Sequence, residues 1–216
     1  SLVVTASNDG SCMIWNSSSG EWMQSLHHGG RVNSAVFSPD GAFVLTSASA
    51  DRAAKIWSVT NGKCTYQIVH AQRVLSAIYS LDGMAVFTAC TDGRARRWNI
   101  EACECDCTYA GHRGRMRFGA CSSDGESLLT ASDDFTAKLW QVDSGECKLT
   151  FRGHKGPVHH ATFSADEAWV LSASFDRTAR LWNATSGECA QVLQCSGHLK
   201  SAVPFENILY CCAAED

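Results

Sequence analysis

The sequence predicts an all-β fold built from repeated four-stranded antiparallel units, because several residue types recur at one period along the chain. Tryptophans follow one another at steps of 41 or 42 residues: Trp15, Trp57, Trp98, Trp140 and Trp182. An aspartate stands six residues before each of them: Asp9, Asp51, Asp92, Asp134 and Asp176. A hydroxyl stands four residues before each aspartate: Thr5, Ser47, Thr88, Thr130 and Ser172. Coincident periods of this kind indicate one structural unit used several times.

A histidine opens most of these units. The repeat histidines are His28, His70, His112 and His154, and His198 is predicted to open a further unit. The spacing from histidine to tryptophan is 28 residues in three units and 29 in the second, where the extra residue is placed between Asp40 and Ser47. One domain over 1–216 follows, with units at approximately 28–69, 70–111, 112–153 and 154–197 and partial units at 1–27 and 198–216.

The fifth unit shows the strands most clearly. Residues 158–163, 169–173, 178–182 and 189–193 have strand character and are separated by short turns. Four strands in about 40–45 residues is the length of one β-propeller blade. The chain is therefore predicted to hold about five or six blades or part-blades of a larger propeller.

The last part-blade allows two arrangements. In one, residues 207–216 form the second strand of a truncated blade, with Asp216 as its turn aspartate. In the other, residues 201–205 return to pair with residues 2–6, so that His198 serves the set of Thr5, Asp9 and Trp15. The first is favoured, because an open stack of blades still buries most of its core between neighbours.

The motifs resemble those of the WD-repeat family over essentially the whole chain. The Gly-His pairs at 111–112, 153–154 and 197–198 match the family's Gly-His element, and TASDDFTAKLW (130–140) and SASFDRTARLW (172–182) match its second-to-third-strand segment. The Trp-Asp dipeptide itself is absent, since each repeat tryptophan is followed by Asn, Ser or Gln. The resemblance implies a non-catalytic interaction scaffold. It also implies that the recurring polar residues form a structural hydrogen-bond network.

That network is predicted from the residue chemistry as well. A buried aspartate needs partners, a buried indole N–H needs an acceptor, and an imidazole can bridge a carboxylate and a hydroxyl. An active site is needed once, whereas this set occurs four times, so no catalytic residue is assigned. The predicted network residues are His28, Ser47, Asp51, Trp57, His70, Thr88, Asp92, Trp98, His112, Thr130, Asp134, Trp140, His154, Ser172, Asp176 and Trp182.

The 12 cysteines favour packing over metal binding. Four of them, Cys64, Cys105, Cys147 and Cys189, lie seven residues after a repeat tryptophan, which predicts a packing position on the fourth strand. Cys103, Cys105 and Cys107 would share one strand face, but their spacing does not match a zinc site. No metal or cofactor is therefore predicted. Free thiols favour a reducing, intracellular setting, cytoplasmic or nuclear.

The partners are predicted to be other proteins or peptides, acidic or phosphorylated ones among them, within a multi-subunit complex. A net charge of −4 gives no bulk attraction to nucleic acid or membranes. Consecutive blades nevertheless place arginines at one site, on the face that carries the histidine loops. The candidate partner-binding residues are Arg31, Asn33, Arg73, Leu75, Arg115, Arg117, His159 and Phe175. A substrate receptor for such a peptide, in an assembly such as a ubiquitin ligase, and an RNA-associated subunit are the alternatives.

Overall fold

The computed structural model describes residues 1–205 and 208–214, which form 21 strands in six antiparallel sheets. The predicted all-β fold of propeller blades is confirmed. Each sheet uses strands that are consecutive in sequence, so every connection is a short turn between neighbouring strands. We number the blades from one to six along the chain.

The first and last blades contain fewer than four described strands. The first blade consists of β1 (Leu2–Ala6), β2 (Ser11–Asn16) and β3 (Trp22–His27). The sixth consists of β20 (His198–Phe205) and β21 (Ile208–Ala214).

The four central blades each contain four strands. The second has β4 (Val32–Phe37), β5 (Phe43–Ala48), β6 (Ala53–Ser58) and β7 (Cys64–Val69). The third has β8 (Val74–Tyr79), β9 (Ala85–Cys90), β10 (Arg94–Asn99) and β11 (Glu104–Ala110). The fourth has β12 (Met116–Cys121), β13 (Ser127–Ser132), β14 (Thr136–Gln141) and β15 (Cys147–Arg152). The fifth has β16 (Val158–Phe163), β17 (Trp169–Ser174), β18 (Thr178–Asn183) and β19 (Cys189–Gln194).

The hydrophobic core lies between adjacent blades. Trp140 is 1% exposed and packs with Tyr109 and Met116 where the third and fourth blades meet. Trp182 is equally buried between the fourth and fifth blades, beside Phe151. In the second to fifth blades the repeat tryptophan thus lies near the seam with the preceding blade, which explains why the period of the sequence matches the period of the blades.

The arrangement of the sixth blade excludes the alternative pairing of 201–205 with 2–6. Strand β20 pairs with β21 from His198 opposite Ala214 to Phe205 opposite Ile208. Among the described residues, β1 pairs only with β2. The predicted second strand of this blade is therefore present as β21, while the predicted turn aspartate, Asp216, lies outside the described residues.

The fourth-strand cysteines are a correction. Cys64, Cys105, Cys147 and Cys189 are exposed rather than packed. Each is paired with the repeat tryptophan of its blade beside a β-bulge, and each thiol donates a weak hydrogen bond to the carbonyl two residues further on. The fourth strand is the outer edge of the blade, and a bulge there re-aims the side chain toward solvent.

The three clustered cysteines do not share one face either. Cys103 precedes β11 and has a left-handed backbone with φ of 58°, so the strand alternation does not reach it. It lines a groove beside the second blade, whereas Cys107 packs against the core between the third and fourth blades. Cys103 is itself a turn residue, and a period-two strand pattern does not distinguish it from the strand residues Cys105 and Cys107.

The residue after each turn aspartate adopts a left-handed conformation. Glycine fills this position in the first and third blades, as Gly10 and Gly93, with φ of 92° and 77°. Phe135 occupies it in the fourth blade with φ of 69°, although its side chain is 44% exposed. A left-handed conformation costs an L-residue roughly 1–2 kcal/mol, so this turn carries strain.

We expect Phe135→Gly to raise the free energy of unfolding by about 0.5–1 kcal/mol, because relief of strain exceeds the extra backbone entropy of glycine. Urea denaturation would measure the change. Phe135→Ala keeps the Cβ atom and is the control. If alanine stabilised the protein as much as glycine, backbone conformation would not be the cause.

Candidate functional site

The recurring polar residues form a hydrogen-bonded chain in the fourth blade. His112 Nδ1 lies 2.8 Å from an Asp134 carboxylate oxygen, and its Nε2 lies 2.9 Å from the Thr130 hydroxyl. The Trp140 indole N–H donates to the same hydroxyl over 2.8 Å. An indole can only donate and a carboxylate can only accept. The Trp140 indole N–H therefore donates to the Thr130 hydroxyl, and this hydroxyl donates to Nε2 of His112. Nδ1–H of His112 in turn donates to the carboxylate.

The fifth blade repeats this chain. His154 Nδ1 lies 2.9 Å from Asp176, and Nε2 lies 2.7 Å from the Ser172 hydroxyl. Trp182 donates to Ser172 over 2.8 Å. The imidazole ties the loop before the first strand to the turn before the third strand, as the sequence predicts.

The second blade uses Thr46 rather than the predicted Ser47. His28 lies 2.6 Å from both Asp51 and Thr46, and the Trp57 indole donates to Thr46 over 2.7 Å. Ser47 instead lies 2.7 Å from the Ser34 hydroxyl. The strand registers place the extra residue of this blade in the turn between Ala48 and Asp51, not between Asp40 and Ser47. Counting back from the aspartate therefore missed the hydroxyl by one residue.

The third blade has an incomplete network, which corrects the expectation of four full sets. Trp98 donates to Thr88 over 2.9 Å, but Asp92 is paired with Arg96 at 2.6 Å instead of with His70. His70 Nδ1 lies 3.3 Å from the Cys90 thiol, and its buried Nε2 makes no hydrogen bond to any described residue. The guanidinium competes for the carboxylate more strongly than a neutral imidazole does.

The end blades also depart from the predicted pattern. In the first, Trp15 donates to Thr5 over 3.0 Å, and Asp9 accepts hydrogen bonds from Ser11. In the sixth, Cys195 takes the place of the repeat histidine, because its N–H donates to the Arg177 carbonyl. His28 and His70 make the equivalent backbone bond in their blades. The Gly-His pair at 197–198 therefore resembles the family element but lies three residues out of register.

Burial and hydrogen bonding oppose one another in these networks. Burial alone would raise the pKa of Asp134, but bonds from His112, Thr136 and the Arg113 N–H hold it well below its usual range. Burial lowers the pKa of His154, and its bond to Asp176 offsets only part of that effect. The carboxylates are ionised and His154 is neutral near pH 7. These bonds join the loop before the first strand to the second and third strands of the blade.

A second group of residues occupies one position in three consecutive blades and lies on a concave surface. We call this group the arginine arc: Arg31, Arg73 and Arg115. All three line one pocket, together with Leu75, Thr91, Arg117 and residues of the second-blade turn. They occupy the same position before the first strand of three consecutive blades, and all three are exposed. Among the described residues, none of the three guanidinium groups has an ion-pair partner.

Two of the candidate binding residues are engaged within the protein. Arg117 forms a two-bond ion pair with Asp133, at 2.6 Å from Nε and 2.9 Å from the terminal nitrogen. The Asn33 amide donates to the Ser49 hydroxyl and to the Val74 carbonyl, each over 2.7 Å, and so joins the second and third blades. Both residues support the surface. Arg117 does not add a fourth free cation.

The arc ends at an aromatic cluster. The rings of His159 and Phe175 are 5.0 Å apart, and the His198 ring stacks on Phe175 at 4.1 Å. His198 Nδ1–H also donates to the Phe175 carbonyl. By strand register His198 matches Pro157 and Arg115, so it takes the arc position in the sixth blade. Lys200, which is not among the binding residues predicted from the sequence, consequently matches His159.

Most exposed charges are divided by sign between the two faces of the blades, with exceptions such as Asp9, Asp92 and Lys63. Because adjacent strands are antiparallel, the loops before first strands and the turns before third strands lie on one face, the basic face. Its exposed cations are Arg31, Arg52, Arg73, Arg94, Arg113, Arg115, Lys155 and Arg177. The opposite turns form the acidic face. Its exposed carboxylates include Glu21, Asp40, Asp82, Glu101, Asp124, Asp143, Glu146, Asp166 and Glu188.

Stacked four-stranded blades, held by one repeated polar network and presenting loops on two faces, define a β-propeller. A family model described as WD domain, G-beta repeat, matches residues 20–58, 103–141 and 145–183, which is more than half of the chain. The chain belongs to the WD-repeat family, whose repeats generally mediate protein–protein interaction and are generally non-catalytic. The stretch between the first two matches contains the first three strands of the third blade, where the network is incomplete. A comparison with curated proteins gave no match.

Two further features concern metal ligands and membrane-spanning helices. No group of three or more His, Cys, Asp or Glu side chains in the described part of the chain is placed to hold a metal ion. Nor do residues 1–205 and 208–214 include a helix long and apolar enough to cross a membrane.

The completeness of the network predicts how much each aspartate stabilises the fold. We expect Asp134→Ala to lower the free energy of unfolding by about 2–3 kcal/mol, because it leaves buried His112 without its acceptor. Asp92→Ala should cost about 1 kcal/mol or less, since it removes a partly exposed ion pair with Arg96. Chemical denaturation would measure both. If Asp134→Ala kept full stability but lost partner binding, the network would be functional rather than structural.

The third blade predicts a pH dependence. Burial, with a smaller contribution from Arg96, lowers the pKa of His70 to about 4. Above pH 6.5 neither the folded nor the unfolded state protonates it. Between pH 6.5 and about 4 only the unfolded state does, so stability falls as pH falls, by roughly 3 kcal/mol at most. We expect His70→Phe to flatten this slope in unfolding titrations. An unchanged slope would show that other groups cause it.

Proposed function

We propose that this chain is a non-catalytic interaction scaffold whose arginine arc receives an acidic or phosphorylated segment of a partner protein. The observation that carries the proposal is the placement of three exposed, unpaired arginines at one position of three consecutive blades, around one concave pocket. Arginine binds carboxylates and phosphates through two parallel hydrogen bonds. This geometry favours ligands that present two acceptor oxygens side by side.

The surroundings of the arc favour an anionic ligand. Asp133, a carboxylate on the same face, is already held by Arg117 and does not neutralise the three arginines. The blades beneath are fixed by the inter-blade bonds of Asn33 and by the imidazole networks. A rigid site loses little conformational entropy on binding, so less of the favourable interaction free energy is offset.

The aromatic cluster lies at one end of the arc and therefore sets the orientation that we expect for a bound segment. Phe175 is 38% exposed and lies at the fifth blade, beyond the last arginine of the arc. We infer that the acidic part of the segment lies over the arc, and that an apolar side chain of the same segment contacts Phe175 and Leu75. This geometry suits a substrate-receptor subunit of a multi-subunit assembly, because the acidic face stays open to another component. Free thiols at the cysteines with described side chains fit a reducing, intracellular setting.

The proposal is tested with Arg31→Glu, Arg73→Glu and Arg115→Glu combined. The probe is a short fluorescein-labelled peptide with one phosphoserine between glutamates, followed by fluorescence anisotropy. We expect the unmodified chain to bind it in low salt, and the triple variant to bind at least about tenfold more weakly. Raising the ionic strength from about 0.01 to 0.15 M should weaken binding, because the screening length falls from roughly 30 to 8 Å.

The matched control carries the same charge change away from the pocket: Arg94→Glu, Arg113→Glu and Arg152→Glu, all exposed positions. It should retain binding if the arc, rather than net charge, is responsible. Equal losses in both variants would contradict the proposal. A single-stranded RNA probe that bound more tightly than the phosphopeptide would favour the RNA-associated alternative.

A further inference from the structure

An apolar groove opens between the second and third blades on the acidic face, away from the arginine arc. Its volume is about 540 Å³, within the range of about 300–1,000 Å³ that ligand pockets span. Its apolar wall consists of Phe43, Ile56, Tyr66, Met84 and Ile100. Most of these residues belong to the core cluster that joins the two blades, so the groove is a part of that seam left unfilled.

The groove contains a buried hydroxyl group with no partner. Tyr79 lines it, and the Tyr79 hydroxyl makes no hydrogen bond to any described residue although it is shielded from solvent. By strand register, the same position holds Phe37, Cys121 and Phe163 in the neighbouring four-stranded blades. An unsatisfied buried hydroxyl destabilises a fold, whereas an apolar ring of the same shape does not. The third blade thus places a buried hydroxyl where the other four-stranded blades have an aromatic ring or a thiol, so this seam differs from its neighbours.

Two carboxylates stand at the rim of the groove. In each, one oxygen accepts bonds from a serine hydroxyl and a backbone N–H: Ser38 and Ala42 for Asp40, and Ser80 and Met84 for Asp82. These bonds lower the pKa of both groups, so both are ionised at neutral pH. No arginine or lysine is among the lining residues. The rim therefore attracts cations.

We propose that this groove is a second docking site, for a peptide segment with one large apolar side chain flanked by basic residues. The apolar side chain fills the space bounded by Phe43, Ile56 and Met84. The flanking cations pair with Asp40 and Asp82. The site is independent of the proposed function, because it lies on the opposite face and takes a ligand of opposite charge.

The probe is a short, terminally blocked, fluorescein-labelled peptide with a central tryptophan between arginines, and the readout is anisotropy. We expect Met84→Lys to abolish binding, because a cation then occupies the rim. Asp40→Asn with Asp82→Asn should weaken binding about tenfold, while the matched pair Asp124→Asn with Asp166→Asn on neighbouring turns should not. Asparagine still accepts the local hydrogen bonds, so the turns stay intact.

Three results would overturn the proposal. They are no binding of the basic peptide, equal binding by Met84→Lys, and equal binding of a peptide with glutamates in place of arginines. Self-association of the chain that Met84→Lys removes, seen by analytical ultracentrifugation, would instead assign the groove to a second copy. The arc variant with three glutamates should bind the basic peptide normally, so failure of one site is distinguishable from failure of the other.

Discussion

The second, fourth and fifth blades each depend on one buried imidazole that is held between a carboxylate and a hydroxyl. In the fourth and fifth blades this bridge joins a loop, a turn and two strands through a directed series of hydrogen bonds that ends at an ionised aspartate. The bond network is costly to leave half-made, because each member is screened from water. The loops that it fixes are the same loops that carry the arginines of the basic face. The repeat that builds the fold therefore also sets the spacing of the candidate binding groups.

The two candidate sites use the same architecture in opposite ways. The arginine arc arises because the second, third and fourth blades each carry an arginine at the same position before the first strand, so that the three side chains line one pocket. The groove arises where one blade differs from its neighbours, with Tyr79 at a position that is otherwise apolar. Repetition supplies a broad surface of one charge, and departure from repetition supplies a local pocket.

The sequence was sufficient for the blades, the strand order and most of the network, because a polar residue that recurs at one period in a buried setting has few structural explanations. It failed where a local rearrangement left the periodicity unchanged. The count from Asp51 selected Ser47 because an added turn residue is invisible to spacing alone, and only strand register identifies Thr46. The Gly-His pair before Leu199 led to a wrong register because Cys195 carries no recognisable signal. Pairings such as Arg96 with Asp92, and the groove, depend on side-chain positions that no pattern encodes.

The added residue in the second-blade turn also bears on how such a chain can change length. Ala50 adds one residue to the loop, yet the strands on either side keep their register and His28 keeps both of its partners. Its methyl group stands where a side chain on residue 30 would have to go, and Gly30 leaves that space empty. Insertion at this corner thus requires compensation at a single facing residue. Loops on this face can in this way change length in one repeat while the sheet beneath them keeps its register.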